Sequence, residues 1–152
     1  MTEATHQIIV GVDGSTASKA ALRWAVTEAR LRGAAVTVIH AWQLPLASGM
    51  YEGMTIPEGA PEELEKAAEE TVRDVIAEVV GSDASVPVEV SIRNGHASFV
   101  LVEASKNADL LVVGSEGHGA FAGMLLGSVS MHVVHHAVCP VTVVRPGWPA
   151  DQ

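Results

Sequence analysis

The sequence is poor in cysteine, aromatic residues and positive charge, and each shortage limits the kind of protein that it can form. A single cysteine, Cys139, among 152 residues rules out a disulfide within the chain. Aromatic residues make up 4% of the chain, so the core must consist mainly of Val, Ile, Leu and Ala. Nine Lys and Arg stand against eighteen Asp and Glu, and the formal net charge is -9. This balance argues against nucleic acids and anionic membranes as partners, because both attract clustered cations.

Long apolar runs are absent as well. No run approaches the roughly 20 apolar residues that a membrane-spanning helix needs. The first residues, MTEATHQIIVGVDGS, contain no basic segment followed by a long apolar stretch, so they do not resemble a secretory signal. We therefore expect a cytoplasmic protein with no nucleic-acid partner and no membrane partner.

Five short runs rich in β-branched residues are present, and helical patterns fill the intervals between them. The runs cover residues 7–13, 35–42, 86–94, 108–114 and 141–146. Three of them are apolar almost throughout, which is typical of strands buried on both faces of a parallel sheet. Helices are predicted for residues 16–32, for 61–81, for about 96–106 and for about 127–136. Gly33 is predicted to end the first helix. The positions predicted to face inward are Leu22, Ala25, Val26 and Ala29 in the first helix and Ala97, Val100, Leu101 and Ala104 in the third. The order βαβαβαβαβ predicts an α/β fold, a five-stranded parallel sheet with helices on both faces.

The chain shows no internal repeat and no linker, so we expect a single domain over residues 1–152. Its least regular segment, 43–60, is long for a loop in a compact domain and is interpreted as a variable loop, either a lid or a disordered connection. In open parallel sheets, ligands bind beyond the carboxyl ends of the strands, where the strand order reverses. The ends of the first, second and fourth runs are therefore candidate sites.

The stretch GSEGHGAFAGMLLGS, residues 114–128, follows the fourth run and precedes the fourth helix. Its spacing, Gly-x2-Gly-x9-Gly-Ser, is neither a Walker loop, which would need a lysine, nor the dinucleotide fingerprint Gly-x-Gly-x-x-Gly. Glycines let backbone N–H groups approach an anion, and the helix that begins near Gly127 directs further N–H groups to the same place. Ser128 and Ser130 can add hydroxyl donors. The loop is a candidate phosphate-binding site, and the alternative is a surface loop with turn glycines.

Asp13 stands at the carboxyl end of the first run and is expected to lie across the crevice from Gly114. Its carboxylate could accept hydrogen bonds from a ribose or a base. The alternative is a purely local role, because Asp in Asp-Gly-Ser commonly stabilises a turn.

With these features the chain resembles the universal stress proteins of the single-domain kind that bind adenine nucleotides. The matching stretches are IIVGVDGSTASKAALRWAVTEA, VTVIHAW and ADLLVVGSEGHGAFAGMLLGSVSMHVVHHAVCPVTVV, which leaves the variable segment 43–60 as the main departure. The glycine spacing is that family's nucleotide-binding motif. The resemblance implies the strand order 3-2-1-4-5 of a Rossmann-like fold, with the crevice between strands 1 and 4.

The resemblance also implies a ligand and its site. The ligand would be ATP or another adenine nucleotide such as AMP or cyclic AMP, with or without Mg²⁺, bound by Gly11, Val12, Asp13, Ala41, Val113, Gly114, Gly117, Gly127, Ser128, Val129 and Ser130. The first three would contact the adenosine, and Ala41 the adenine. Val113 and Gly114 would line the ribose side, and the remaining residues would contact the phosphate and the ribose.

The family further implies a homodimer joined through the last strand, Val141 to Val144, and a regulatory or signalling function in the stress response. The sequence contains no activated nucleophile, no clear general base and no Walker lysine, so we assign no catalytic residues. Two alternatives stay open: an interaction module that works without nucleotide, and a slow ATP hydrolase.

Glu116 departs from the family pattern, since many relatives have a basic residue near this position. A carboxylate within about 6 Å of a triphosphate would repel it unless a divalent cation bridged the two. Glu116 therefore either points to solvent or weakens the binding of ATP relative to less charged ligands.

Five other residues are candidates for a function. His132 and His136 share a face of a predicted helix, but two ligands without a third make a weak metal site, so none is predicted. Cys139 enters an apolar strand and is expected to be buried rather than catalytic. His118 either contacts a phosphate or is exposed, and Trp42 either stacks on a base or covers the core.

Overall fold

A computed structural model shows strands and helices alternating along the whole described chain, which comprises residues 6–44, 56–118 and 125–149. The strands are β1 (Gln7–Gly11), β2 (Ala35–Trp42), β3 (Val88–Asn94), β4 (Leu110–Gly114) and β5 (Val141–Val144). The helices are α1 (Thr16–Arg32), α2 (Ala60–Val79), α3 (Ala97–Ser105) and α4 (Ser128–His136). Across these ranges every helix is too short or too polar to span a bilayer.

The five strands form one parallel sheet in the order β3-β2-β1-β4-β5. The predicted fold class is thereby confirmed, together with the strand order that the family resemblance implied. From β1 the chain extends the sheet first toward β2 and β3, and then returns to add β4 and β5 on the other side. The order reverses between β1 and β4, so a crevice opens beyond their carboxyl ends.

Alternate residues of the central strands face two separate helical layers. Ile8 and Val10 of β1 pack in a cluster with residues of α1 and α2, whereas Ile9 packs in a second cluster with Leu101 of α3 and Val133 of α4. Both faces of these strands are therefore covered, which explains why the sequence shows continuous apolar runs rather than alternation.

The predicted helices agree with the structure to within a few residues. The side chain of Ser15 caps α1, and Gly33 ends this helix with φ 66°, a left-handed conformation that glycine adopts without strain. The predicted inward face of α1 is buried, comprising Leu22, Ala25, Val26 and Ala29.

Four predicted strands are longer than the observed ones. The first ends at Gly11 rather than at residue 13, because the Asp13 side chain bonds the backbone of Ser15 and turns the chain. The third begins at Val88 rather than at residue 86, after Pro87, which has no N–H to donate. The fourth begins at Leu110 rather than at residue 108. The last ends at Val144 rather than at residue 146. Residues 45–55 of the expected variable segment lie outside the described residues.

Candidate functional site

A cavity of about 410 Å³ lies at the carboxyl ends of β1, β2 and β4, beside the first turns of α3 and α4. All the residues predicted to bind nucleotide line it: Gly11, Val12, Asp13, Ala41, Val113, Gly114, Gly117, Gly127, Ser128, Val129 and Ser130. The volume is within the range of small-molecule sites, roughly 300–1,000 Å³. Residues that are distant in sequence therefore meet around one space of ligand size.

The cavity wall also contains residues that the sequence did not suggest, namely Ser18, Ile39, His40, Ala97 and Leu101. The sequence pattern predicts Ala97 and Leu101 only as inward-facing positions of a helix. The parallel sheet places the first turn of α3 at the same edge as the glycine loop, so these two residues cover the cavity as well as the core. Their helical spacing could not distinguish the two roles.

Asp13 is held firmly at the end of β1. Its Oδ1 accepts hydrogen bonds from the backbone N–H of Ser15 (2.9 Å) and from the Ser15 hydroxyl, and its Oδ2 accepts from the N–H of His118 (3.2 Å). Burial by itself would raise the pKa of Asp13, but these hydrogen bonds outweigh it and the pKa lies below the usual 3.8. The local turn role is thus confirmed, and the same ionised carboxylate borders the cavity.

Two histidines bind the carbonyl groups that follow β1. His40 Nδ1 lies 2.6 Å from the backbone carbonyl oxygen of Val12, and His118 Nε2 lies 2.6 Å from the backbone carbonyl oxygen of Asp13. Carbonyl oxygens only accept hydrogen bonds, so each of these ring nitrogens carries a proton. His118 is exposed, yet its ring is fixed on Asp13 and it lines the cavity. Trp42, by contrast, is not part of the cavity wall.

The two ends of the glycine loop are joined at Ser115. The Ser115 carbonyl accepts hydrogen bonds from Gly127 N (2.7 Å) and from the Ser130 hydroxyl (3.2 Å), and its own N–H donates to Val144 (2.8 Å). Backbone hydrogen bonds therefore fix both the start and the end of the loop. The Ser130 proton, which the sequence suggested for a phosphate, is already used in this contact. Residues 119–124 of the loop lie outside the described residues.

The first turn of α4 faces the cavity without a side-chain cap. Gly127 occupies the N-cap position with φ -69° and offers no side chain to the helix. Ser128, Val129 and Ser130 form the first turn and line the cavity. The N–H groups of a first helical turn have no partner within the helix, and they favour an anion through both hydrogen bonding and the helix dipole.

The motif glycines are needed for contacts within the protein, and not only for access by a ligand. A β-carbon on Gly114 would lie 2.7 Å from the Ala17 carbonyl carbon, and one on Gly117 would lie 2.5 Å from Asp13 Oδ2. On Gly127 it would lie 3.2 Å from Glu116 Cα. Each glycine thus allows two chain segments to approach closely, and this approach shapes the cavity.

The other candidate residues lie elsewhere. The His132 and His136 rings are neighbours, with centroids 4.4 Å apart, and in the part of the chain that the structure describes no group of three or more metal-ligating side chains occurs. Cys139 is half-buried, and its thiol donates to the Pro140 carbonyl (3.3 Å). Burial raises the pKa of the Cys139 thiol, which disfavours the thiolate that a nucleophile requires.

Residues 4–145 match the profile of the Universal stress protein family. The chain belongs to this family. A universal stress protein of Mycolicibacterium smegmatis is 38% identical over 143 residues, covering 92% of this chain and 48% of the relative. The chain therefore spans about half the length of the curated relatives it matches.

Solved universal stress proteins share the fold over almost all of this family member. UspA from Lactobacillus plantarum has a TM-score of 0.74 at 26% identity, covering 94% of this chain and 100% of the other. A universal stress protein in complex with cAMP has a TM-score of 0.58 at 25% identity, covering 95% and 99%. The Archaeoglobus fulgidus protein in complex with dAMP has a TM-score of 0.54 at 25% identity, covering 91% and 97%.

Proposed function

We propose that this universal stress protein binds ATP or a related adenine nucleotide, such as AMP or cyclic AMP, in the cavity at the carboxyl ends of β1, β2 and β4. The observation that carries the proposal is the convergence of all the predicted residues on that one cavity. The two structural relatives in complex with cAMP and dAMP support an adenine ligand.

The chemistry of the wall suggests how such a ligand lies. The backbone at Gly11, Val12 and Ala41 and the apolar side chains of α3 border the part of the cavity that we assign to adenine and its sugar. The ionised Asp13 carboxylate accepts hydrogen bonds from ribose hydroxyl groups. The uncapped first turn of α4, beginning at Ser128, receives the phosphate.

We assign the protein a regulatory function in the stress response rather than catalysis. A nucleotide that binds one conformation of the glycine loop more tightly shifts the protein toward it and so changes the surface that partners meet. A slow hydrolase remains a competing function for the same cavity. Turnover measured with Mg²⁺ or Mn²⁺ tests for catalysis, and a rate of about 1 s⁻¹ or more would indicate a true enzyme rather than a regulatory protein or a slow hydrolase.

We also propose a homodimer joined through β5, Val141–Val144. This strand lies at the edge of the sheet and pairs on one side with β4. Its apolar residues at an open edge would invite aggregation, and pairing with a second copy removes that exposure.

The nucleotide proposal is tested by mass spectrometry of the small molecules that the gently purified protein retains, followed by calorimetric titration with adenine and guanine nucleotides. We expect a retained adenine nucleotide and a clear preference for adenine over guanine. Asp13→Ala should weaken binding. The matched control is Asp109→Ala, which directly precedes β4 at the amino ends of the strands, away from the cavity, and should not weaken binding. Failure of every adenine ligand to bind would favour the interaction module that works without nucleotide.

A further inference from the structure

The side chains of the described cavity wall that carry a full charge are carboxylates. This described wall contains two carboxylates, Asp13 and Glu116, and two imidazoles, His40 and His118, but no lysine or arginine. The sequence stretches 45–55 and 119–124, which lie outside the described residues, contain no lysine or arginine either.

The cations closest in sequence to the wall are located elsewhere. Lys19 follows the wall residue Ser18 but pairs with Glu78, at 3.1 Å. Arg93, near the end of β3, donates to the Ser91 hydroxyl at 3.0 Å. Arg145 follows β5 and is not part of the wall. Among the described residues, a phosphate in the cavity would therefore meet no lysine or arginine, and the groups that can offset its charge are backbone N–H groups, the helix dipole and the two imidazoles.

Glu116 stands at the phosphate end of this space. Its Cα lies 3.2 Å from the place that a β-carbon on Gly127 would occupy, beside the first turn of α4. Glu116 is half-buried and lines the cavity. The positive end of a helix is equivalent to about half an elementary charge, which suits one phosphate charge but not several.

We infer that the site selects adenine ligands by their charge. It binds an uncharged nucleoside or a cyclic monophosphate directly and accepts a triphosphate only together with a divalent cation, and Glu116 sets this limit. The inference deepens the proposed function and rests on it. A carboxylate and one phosphate charge about 6 Å apart repel each other, and at an effective dielectric constant of about 20 this repulsion lowers the affinity roughly a hundredfold. Screening at a partly exposed carboxylate reduces the effect to about tenfold.

The test is calorimetric titration at pH 8, where imidazole rings are largely uncharged, with adenosine, cyclic AMP and ATP in EDTA and again in Mg²⁺. For the unmodified protein we expect ATP in EDTA to bind at least about tenfold more weakly than cyclic AMP, and Mg²⁺ to remove most of that difference. Glu116→Gln should raise the affinity for ATP in EDTA about tenfold and leave adenosine within about twofold.

Glu103→Gln is the matched control, because it removes the same charge from α3 at a position outside the cavity wall. It should change no affinity. Equal gains in the two variants would overturn the role of Glu116, and equal binding of ATP and cyclic AMP to the unmodified protein in EDTA would overturn charge selection. ATP binding in EDTA without any binding of adenosine or cyclic AMP would also overturn charge selection. If none of the three ligands binds, in EDTA or in Mg²⁺, the proposed function itself fails, which is a separate outcome. Glu116→Ala provides a second variant if the glutamine variant does not fold.

Discussion

Gly117 and Asp13 lie so close together that a β-carbon on Gly117 would stand 2.5 Å from Asp13 Oδ2. The same oxygen accepts a hydrogen bond from the N–H of His118, the next residue (3.2 Å). The glycine loop after β4 is thus joined to the end of β1 through one carboxylate. Any change at either residue should affect both sides of the proposed site.

Gly117→Ala is expected to weaken adenine nucleotide binding by at least about tenfold, because the added methyl group displaces either the loop or the Asp13 carboxylate. Calorimetric titration measures the loss. Gly147→Ala is the control, since a β-carbon there has no neighbouring atom within 4 Å. Unchanged affinity in the Gly117 variant would show that the close contact with Asp13 is unimportant for binding.

Gly114→Ala should destabilise the unliganded protein by about 1–3 kcal/mol, as is usual for overpacking. The new β-carbon would lie 2.7–2.9 Å from Ala17 atoms, including its backbone, so α1 or β4 has to move. Gly11→Ala is the matched comparison, because its nearest neighbour is the end of the Leu101 side chain (2.8 Å), which can rotate away. Urea unfolding should therefore rank Gly114→Ala as clearly the more destabilised variant, and the reverse order would contradict the packing described.

Asp13→Asn should lower the free energy of unfolding at pH 7 by about 1 kcal/mol, because it weakens the hydrogen bonds that the carboxylate accepts. The pKa of Asp13 is lower in the folded protein than its usual 3.8, so the folded state binds fewer protons than the unfolded state at acidic pH. The stabilisation from Asp13 is therefore complete above that value and is lost as the pH falls through the folded pKa.

Urea unfolding of both proteins between pH 7 and pH 3 measures this effect. The difference in unfolding free energy between the unmodified protein and Asp13→Asn should be largest near neutral pH and should shrink below about pH 4. A difference that stays constant over this range would mean that the charge on Asp13 does not contribute.

Val143→Pro should convert the proposed dimer into monomers. The carbonyl groups of Pro140 and Val144 accept hydrogen bonds from the N–H groups of Leu111 and Ser115, on the β4 side. Successive residues of a strand direct their N–H groups to opposite sides, so the N–H of Val143 points to the open edge of the sheet. Proline removes this donor without breaking the contacts with β4. Light scattering coupled to size-exclusion chromatography gives the molecular mass directly.

Val90→Pro on β3 is the control for that experiment. The Pro87 carbonyl accepts a hydrogen bond from the N–H of Val36 on β2. By the same alternation the N–H of Val90, three residues later, points away from β2 to the open edge on the other side of the sheet. Loss of the dimer in this variant, with a dimer retained in Val143→Pro, would place the interface on β3 instead.

The elements of the fold could be predicted because each depends on neighbours in sequence. Continuous apolar runs indicated buried parallel strands, and Gly33 marked the end of α1, where it adopts φ 66°. The glycine loop and Asp13 could be placed near each other because the carboxyl ends of parallel strands meet at one edge of the sheet. The strand order did not follow from these patterns and required the family resemblance.

The details of the site depend on contacts between distant parts of the chain. The bond from Ser130 to Ser115, the two histidines on the carbonyls after β1, and the place of Leu101 in the wall all arise from the packing of separate elements. No local pattern distinguishes a leucine that covers the core from one that also covers a cavity.

The amino-acid order alone thus determined the alternation of strands and helices, the acidic surface and the glycine spacing, because these depend on local propensity and composition. Tertiary packing decided how close Gly114 comes to Ala17 and Gly117 to Asp13, and which side chains meet in the cavity. Those distances depend on how the sheet and the helices pack against one another. The free energy of that packing comes from contacts between residues far apart in the chain.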